Sequence, residues 1–397
     1  MKAWRRTSPA GRALLGAVLF TSLTGFMFMP LLAIELTARN LTPGLVGLLV
    51  GLLAFSGQAF SLAAGLLADR FGTRPVMAAG FLLRIIGYPM LAFGGADRIS
   101  PLVTGVIAVG VGGALMGLSI KTLLVSEDGP SPRDMLALRA TFINIGVVAG
   151  PALGALVYPL GFPYILAACV ASHLALAVRL ALLRAGTVGP RPVPPGTGAE
   201  PGAGAGSGRA ALWAWTPLFL LGAAYGALYG QLNIVLPLSA AKLTGNETAI
   251  SVVFIVNGAL VVICQFALLS RVFHRAAART LLTADFLSFA LAYAALLPLA
   301  GWWSLLVFVF PVTLAEMLIG PSLDEQAVRM GTLRRTGLAL GAMSASNALG
   351  GLIGSTAGGY LIQVLGVGVG LYLVIIVTSA VSAGGALFLP KGARQPV

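Results

Sequence analysis

Four charged residues lie inside long apolar segments of the sequence: Glu35, Arg84, Asp285 and Glu316. A charge at the centre of a lipid bilayer costs about 2.5–3.5 kcal/mol on insertion scales, so each residue is a candidate for a functional role. Glu316 lies near the middle of its segment. Because loss of hydration penalises the charged form, a carboxyl in an apolar cavity can bind a proton on one side and release it on the other. The sequence favours Glu316 as a proton or substrate site; the alternative is a buried acid with a structural partner.

The other three charges are weaker candidates because of where they lie. Glu35 is near one end of its segment and is either a second proton-exchanging acid or a solvated acid at the rim. Arg84 follows Pro75 by about 14 Å of helix and is either a functional cation or a residue that packs and pairs locally. Asp285 is close to the start of its segment, so we predict that it reaches the interface and is structural. Glu35 and Arg84 therefore join Glu316 as candidates for proton coupling.

A short charged stretch, GLLADRFGTRP from Gly65 to Pro75, joins two apolar segments. We interpret it as a conformational latch formed by Gly65, Asp69, Arg70, Gly72 and Arg74. In this interpretation the Asp69 carboxylate faces the positive N-terminus of a helix in the other half of the chain, an interaction of about 0.3–2 kcal/mol. That energy can bias two conformations without freezing either. The alternative is a set of charges that only anchors the loop at the membrane surface.

Two further groups of residues could take part in transport. Lys121 and Glu325 are 204 residues apart, which is an offset at which the second half of the sequence repeats the first. They could close an inner gate as an exposed pair worth about 0.2–1 kcal/mol. Aromatic, methionine and amide side chains suit an amphiphilic organic ligand. On that basis the candidates for the substrate cavity are Phe26, Met29, Tyr225, Tyr229, Gln231 and Asn233. Ordinary helix packing is the alternative for each of them.

No catalytic, cofactor or metal site is predicted. None of the four lysines, Lys2, Lys121, Lys242 and Lys391, follows a glycine, as the lysine of a phosphate-binding loop would. His173 and His274 have no Cys, Asp or Glu at a metal-ligand spacing. Cys169 and Cys264 lie in apolar runs and do not indicate a disulfide framework. The sequence predicts neither an enzyme nor a bound cofactor.

Composition places the chain in a membrane. Of its 397 residues, 58% are hydrophobic and 9% are charged, against roughly 25% charged in a soluble domain. A bilayer crossing takes about 20 apolar residues. On that measure we predict twelve crossings, near residues 13–36, 44–68, 76–96, 101–123, 136–158, 161–183, 212–239, 248–270, 280–299, 302–327, 337–362 and 367–389.

The net charge of +13 follows from membrane topology, and a nucleic-acid partner is excluded on this interpretation. Only Arg39, Arg98 and Lys242 fall in connections on one side of the predicted crossings, whereas most other Lys and Arg residues fall on the opposite side. By the positive-inside rule both termini are predicted to be cytoplasmic.

A Pro/Gly-rich segment, residues 185–210, divides the crossings into six and six and is predicted to be a flexible cytoplasmic linker. The predicted bundles are residues 1–184 and 211–397. The halves repeat: an offset of 207 places Pro30 on Pro237, and an offset of 204 places Gly150 on Gly354 and Gly154 on Gly358. Parallel repeats of six helices are a transporter architecture.

With these motifs the chain resembles the major facilitator superfamily, and most closely its twelve-helix drug:proton antiporter branch. The charged stretch matches the family's loop between helices 2 and 3. Residues 149–154, AGPALG, match a Gly-Pro element found mainly in exporters, through Gly150, Pro151 and Gly154. The family's arginine in helix 4 is absent, because residues 105–117 carry no charge. In the resembling fold helices 1, 4, 7 and 10 line the central cavity, which implies that Glu35 and Glu316 face it.

We therefore predict an all-α polytopic membrane protein with two pseudo-symmetric bundles of six transmembrane helices, located in the inner or plasma membrane and functional as a monomer. The predicted activity is proton-coupled efflux of an amphiphilic small molecule by alternating access, with the substrate, protons and the lipid bilayer as its partners. The alternatives are proton-coupled uptake or exchange of a nutrient such as a sugar or organic acid, and a membrane receptor or partner subunit that transports nothing.

Overall fold

The computed structural model of the chain describes residues 2–127, 131–182, 208–271, 278–298, 301–330 and 336–389. Thirteen α-helices and one 3-10 turn at Tyr158–Leu160 form this part of the chain, which contains no β-strand. The helices are α1 (Lys2–Arg6), α2 (Pro9–Ala38), α3 (Pro43–Phe71), α4 (Thr73–Phe93), α5 (Ile99–Val125), α6 (Pro132–Val157), α7 (Phe162–Leu182), α8 (Gly208–Thr244), α9 (Ala249–Arg271), α10 (Ala278–Ala294), α11 (Gly301–Met330), α12 (Thr336–Leu365) and α13 (Val369–Leu387). The predicted all-helical fold is confirmed, and α2 to α13 correspond in order to the twelve predicted crossings.

Length and hydropathy identify most of these helices as membrane-spanning. Among the described residues, nine helices are long and apolar enough to cross a bilayer. Shorter apolar stretches, Ala249–Cys264 in α9 and Gly301–Met317 in α11, accompany them. In lipid a segment must satisfy its own backbone hydrogen bonds, and a helix does so within itself. The chain is therefore a multi-pass helical membrane protein.

Local sequence signals fix several helix ends. Ser8 caps α2, its hydroxyl accepting a hydrogen bond from the Gly11 amide at 3.0 Å, and Pro9 occupies the first helical position. Ser131 caps α6 in the same way, accepting from the Asp134 amide at 3.1 Å. Gly72 separates α3 from α4 with a φ of +89°, a conformation that favours glycine. The one-residue junction between α3 and α4 therefore depends on this glycine.

Contacts within the chain divide it into two units. Unit 1 comprises Met1–Leu41 and Leu52–Gly198, and unit 2 comprises Thr42–Gly51 and Ala199–Val397. The first part of α3 thus groups with unit 2, an assignment that the sequence did not suggest. The predicted bundle limits and the linker at 185–210 remain predictions, since most of that segment lies outside the described residues.

Each unit repeats the same pattern of helix pairs. In unit 1, α2 packs on α6, and α4 packs on both α5 and α7; in unit 2, α8 packs on α12, and α10 packs on both α11 and α13. Adding six to each helix number of unit 1 gives the corresponding pair of unit 2. The helix pairs therefore show the same repeat that the sequence offset indicated.

Glycines bring the paired backbones into close approach. On α6, a Cβ added to Gly150 would lie 2.6 Å from the Leu23 carbonyl oxygen of α2, and one added to Gly154 would collide with the Met27 carbonyl. On α12, Gly354 and Gly358 meet Ala227 and Gln231 of α8 in the same manner. Because lipid is as apolar as the side chains, membrane helices associate through such packing and through hydrogen bonds. The Gly-Pro element of α6 is thus a packing surface for α2, whatever further role it has.

A leucine at Gly150 should weaken this interface. Overpacking a tight interface costs about 1–3 kcal/mol, so Gly150→Leu is expected to lower the melting temperature of the detergent-purified protein. Gly25→Leu is the matched control on α2, because a Cβ at Gly25 would meet no atom within 4 Å. Equal melting temperatures for the two variants, measured by fluorescence-detected size-exclusion after heating, would contradict the packing role.

Candidate functional site

Glu316 lies in α11 and is held by one neutral donor. The Asn257 side-chain amide of α9 donates to Glu316 Oε2 at 2.7 Å. The same amide nitrogen also donates to the hydroxyl of Thr313, one turn earlier on α11, at 3.0 Å. Thr313 in turn donates to the Val309 carbonyl at 2.6 Å. The carboxylate of Glu316 is therefore positioned by an amide and a hydroxyl residue, all within unit 2.

No cation neutralises Glu316 in the described part of the chain, where the one ion pair joins Glu35 to Arg39. The amide of Asn257 can stabilise a carboxylate by donating to it and can also remain beside a protonated carboxyl. This environment permits both protonation states of Glu316. An arginine at the same distance would instead favour the charged state.

Aromatic side chains of α8 lie near this carboxyl. Tyr225 and Tyr229 have ring centroids 5.8 Å apart, and Tyr229 is close enough to Glu316 for the two to interact electrostatically. Tyr229 is 37% exposed, so part of its ring is free to contact a ligand. The tyrosine pair and Glu316 together offer an apolar face beside an acid.

The remaining cavity candidates divide between two kinds of position. Gln231 is buried, and its amide donates to the Gly354 carbonyl of α12 at 2.8 Å and to the Ala227 carbonyl at 3.0 Å. The structure therefore gives Gln231 a role in joining α8 to α12, and its contact with substrate stays a prediction. Phe26, Met29 and Asn233 are partly buried, and their contact with substrate stays a prediction.

Glu35 and Arg39 form a structural network at the end of α2. Arg39 Nε donates to Glu35 Oε1 at 2.7 Å, and Arg39 Nη1 donates to the carbonyls of Leu91 at 2.7 Å and Gly94 at 2.9 Å. The guanidinium thus binds the last carbonyls of α4, which a helix leaves without partners. The Tyr158 hydroxyl adds a longer contact, 3.5 Å, to Glu35 Oε2. The structure therefore pairs the Glu35 carboxylate with Arg39, and a part for Glu35 in proton coupling stays a prediction.

The position of Asp285 differs from the position that the sequence predicted. It was expected to reach the interface, but its side chain is fully buried, and neither carboxyl oxygen has a hydrogen-bond partner in the described part of the chain. The reason is that α10 begins at Ala278 and packs on both α11 and α13. Asp285 is therefore enclosed by helices.

Arg84 of α4 contacts a histidine that sequence reasoning treated as isolated. Arg84 Nε donates to the Val109 carbonyl of α5 at 3.2 Å, and Arg84 Nη1 lies 3.3 Å from His173 Nε2 of α7. His173 is fully buried. The two residues are 89 positions apart, and no local spacing could have paired them. A basic residue in the third predicted crossing and a histidine in the sixth were the only signal.

The charged stretch ends one helix and begins the next. Asp69 and Arg70 lie in the last turn of α3, and both are exposed. Arg70 lies over the Phe71 ring at 5.3 Å, whereas Asp69 makes no hydrogen bond or ion pair with the described residues. An acid at a helix C-terminus is disfavoured by the helix dipole. Asp69 thus sits where its own helix gives it no stabilisation, which is consistent with a partner elsewhere, and the latch stays a prediction.

The inner gate of Lys121 and Glu325 stays a prediction. Lys121 is exposed near the end of α5, while the side chain of Glu325 lies outside the described residues.

Among the residues that are described, no group of three or more His, Cys, Asp or Glu side chains could hold a metal ion.

The multi-pass helical fold and the repeat of helix pairs in the described part of the chain are the architecture of a membrane transporter. The family model of the Major Facilitator Superfamily matches residues 14–331. The chain belongs to this superfamily, and it is a transporter, as the sequence predicted, and not an enzyme.

Relatives and solved structures agree with this assignment. The chain is 26% identical over 346 residues to multidrug resistance protein MdtH of Aeromonas hydrophila, covering 85% of this chain and 83% of that protein. It is 24% identical over 347 residues to MdtH of Yersinia pestis, covering 85% and 82%. An auto-inhibited POT family peptide transporter superposes with a TM-score of 0.77 at 14% identity, covering 98% of both chains. The last similarity shows the fold alone.

Removing the Arg39 side chain should destabilise unit 1. Arg39→Ala leaves the Glu35 carboxylate and the last carbonyls of α4 without their donor, and an unsatisfied buried group costs about 1–3 kcal/mol. The expected result is a lower melting temperature than that of Arg98→Ala, whose side chain is exposed. Indistinguishable unfolding curves for the two variants would show that the network is dispensable.

Neutralising Asp69 should alter the conformational balance and leave the binding site intact. In Asp69→Asn we expect maximal transport velocity to change several-fold while the substrate dissociation constant stays within about twofold, because a latch biases two states without touching the ligand. Asp97→Asn, an exposed acid in the connection between α4 and α5, is the control. A loss of affinity with unchanged maximal velocity would count against the latch.

Proposed function

We propose that this transporter exports an amphiphilic small molecule in exchange for protons and that Glu316 carries the proton. The observation behind the proposal is the Glu316 carboxyl, placed in a membrane helix with one amide donor at 2.7 Å and no cationic partner among the described residues. Such a carboxyl can be neutral or charged, and changing between the two states couples proton binding to substrate binding.

The tyrosine pair supports an amphiphilic substrate. Tyr225 and Tyr229 present aromatic surface beside the acid, and ligand sites are typically apolar with a few convergent polar groups. The relatives named multidrug resistance protein MdtH support efflux, since their alignment covers more than four fifths of both chains.

The exchange follows from competition for one carboxyl. A proton entering from outside neutralises Glu316, which removes the negative charge that favours a substrate with a cationic or donor group, and the substrate leaves outward. After the bundles change conformation the proton leaves inward, and the charged carboxylate again binds substrate. Alternation of this kind shifts populations only as far as each ligand distinguishes the two states.

Orientation and assembly complete the proposal. The bias of Lys and Arg toward one set of connections supports cytoplasmic N- and C-termini, and we place the protein in the inner or plasma membrane. We propose that a monomer is sufficient, because one chain supplies both six-helix units.

Glu316→Gln should abolish exchange driven by a pH gradient, because glutamine keeps the size and a hydrogen-bonding oxygen but cannot titrate. The assay is proteoliposome transport of a panel: ethidium, tetraphenylphosphonium, chloramphenicol, a dipeptide and lactose, each with and without an imposed pH gradient. Glu35→Gln is the matched control and should retain transport, since Glu35 is committed to Arg39.

Three outcomes would contradict the proposal. Transport that ignores the gradient removes the coupling, and unchanged transport by Glu316→Gln removes the assigned residue. Transport of the dipeptide or lactose alone, in the direction of the proton gradient, would instead establish nutrient uptake.

A further inference from the structure

A pair of basic side chains in unit 1, the buried His173 and the partly buried Arg84, has no role in the exchange described above. Arg84 of α4 and His173 of α7 approach with Nη1 and Nε2 3.3 Å apart. Glycines of α5 make room for the arginine: a Cβ added to Gly113 would lie 2.5 Å from Arg84 Nη2, and one added to Gly112 would lie 2.9 Å from Arg84 Cγ. The guanidinium therefore occupies the face of α5 that carries no side chain at these two positions.

The contacts define which nitrogen of His173 carries the proton. A guanidinium only donates hydrogen bonds, so Nε2 must accept from Arg84 and cannot itself hold a proton. The other nitrogen, Nδ1, lies 2.8 Å from the Cys169 carbonyl oxygen and must donate to it. The ring is thus a neutral imidazole with a fixed tautomer, held between one donor and one acceptor.

No acid faces the pair in the described part of the chain. From α4 the titratable groups facing His173 are Arg84 and Tyr88, whose ring centroid lies 5.4 Å from that of the histidine; the third α4 group is the apolar ring of Phe81, at 6.0 Å. From α7 itself Cys169 contributes its carbonyl, and its thiol approaches the Thr24 carbonyl of α2 at 3.7 Å. From α5 the Val109 carbonyl binds Arg84. The arginine is the only cation in this set, and no carboxylate offsets it.

Protonation of His173 and the present position of Arg84 exclude each other. An imidazolium has a proton on Nε2, so it cannot accept from Arg84, and two positive charges would then stand 3.3 Å apart away from water. The side chain of Arg84 is long and flexible and can move away from the α5 glycines. Proton uptake at His173 must therefore accompany displacement of the arginine.

We propose that His173 is a second proton-binding site of this transporter, in unit 1, and that it takes up a proton only when Arg84 leaves the glycine face of α5. The proton adds to Nε2 and breaks no covalent bond; the hydrogen bond from Arg84 Nη1 is lost in the same step. The site needs no carboxylate, in contrast to Glu316. Its physiological role rests on the proposed function, whereas its existence does not.

The chain offers a clean measurement because it contains two histidines, His173 and His274. In a His274→Gln background, ring-15N-labelled protein in nanodiscs gives NMR signals from His173 alone. We expect a neutral ring protonated on Nδ1 at neutral pH. In Arg84→Met, which removes the charge at similar length, the midpoint for protonation of His173 should rise by at least one pH unit, a tenfold gain in proton affinity. In Arg84→Lys, which keeps the charge, it should stay within half a unit of the parent.

Each contrary result overturns the proposal. A neutral ring protonated on Nε2 would show that Arg84 does not donate to it. Equal midpoints for the parent and Arg84→Met, or a ring that stays neutral down to pH 4.5 in Arg84→Met, would show that the arginine does not control proton binding. Arg84→Gln gives the same comparison if Arg84→Met does not fold. The experiment uses no transported compound, so its failure would leave the Glu316 proposal standing. Failure of the Glu316 proposal would likewise leave the proton site at His173 standing.

Discussion

Close approach of helix backbones through glycine is the interaction on which the rest of the structure depends. Lipid gives neighbouring helices no hydrophobic reason to associate, so contact has to come from packing and hydrogen bonds. Gly150 and Gly154 seat α6 on α2, and Gly354 and Gly358 seat α12 on α8. Gly112 and Gly113 likewise leave a face of α5 without side chains, and the side chain of Arg84 occupies the space there. The glycines of this chain therefore determine both which helices pair and where a buried charge fits.

The partly buried charges of the membrane helices are held in three different ways. Glu35 is matched with Arg39, and the pair satisfies the end of α4, so these charges are structural. Glu316 receives a single neutral donor and keeps both protonation states within reach. Arg84 is held by a carbonyl and a neutral histidine, an arrangement that survives only while the histidine remains neutral. These differences are the basis for proposing Glu316 and His173, and not Glu35, as the groups that bind protons.

Sequence alone predicted the helices, because each crossing is a long apolar run, and it predicted the repeat, because glycines recur at one offset. It also selected Glu316 from its central position. It did not predict that Gln231 joins α8 to α12, nor that Arg84 meets His173, since such contacts depend on which distant helices become neighbours. The expectation for Asp285 was wrong for a related reason: its place along the segment was judged without the two helices that cover it. Periodicity describes one helix at a time, whereas pairing is a property of the folded unit.

Under the proposed mechanism, substrate and proton compete for the Glu316 carboxyl. The most direct measurement is proton release when a transported compound is titrated into the purified protein in weakly buffered detergent solution, followed by a pH-sensitive dye or by calorimetry in buffers of different ionisation enthalpy. Competition predicts that binding releases protons from the wild-type protein and from Glu35→Gln, and that Glu316→Gln, which resembles the protonated state, binds the compound more weakly and releases none. Binding to the wild-type protein without proton release, or equal release from Glu316→Gln, would contradict it.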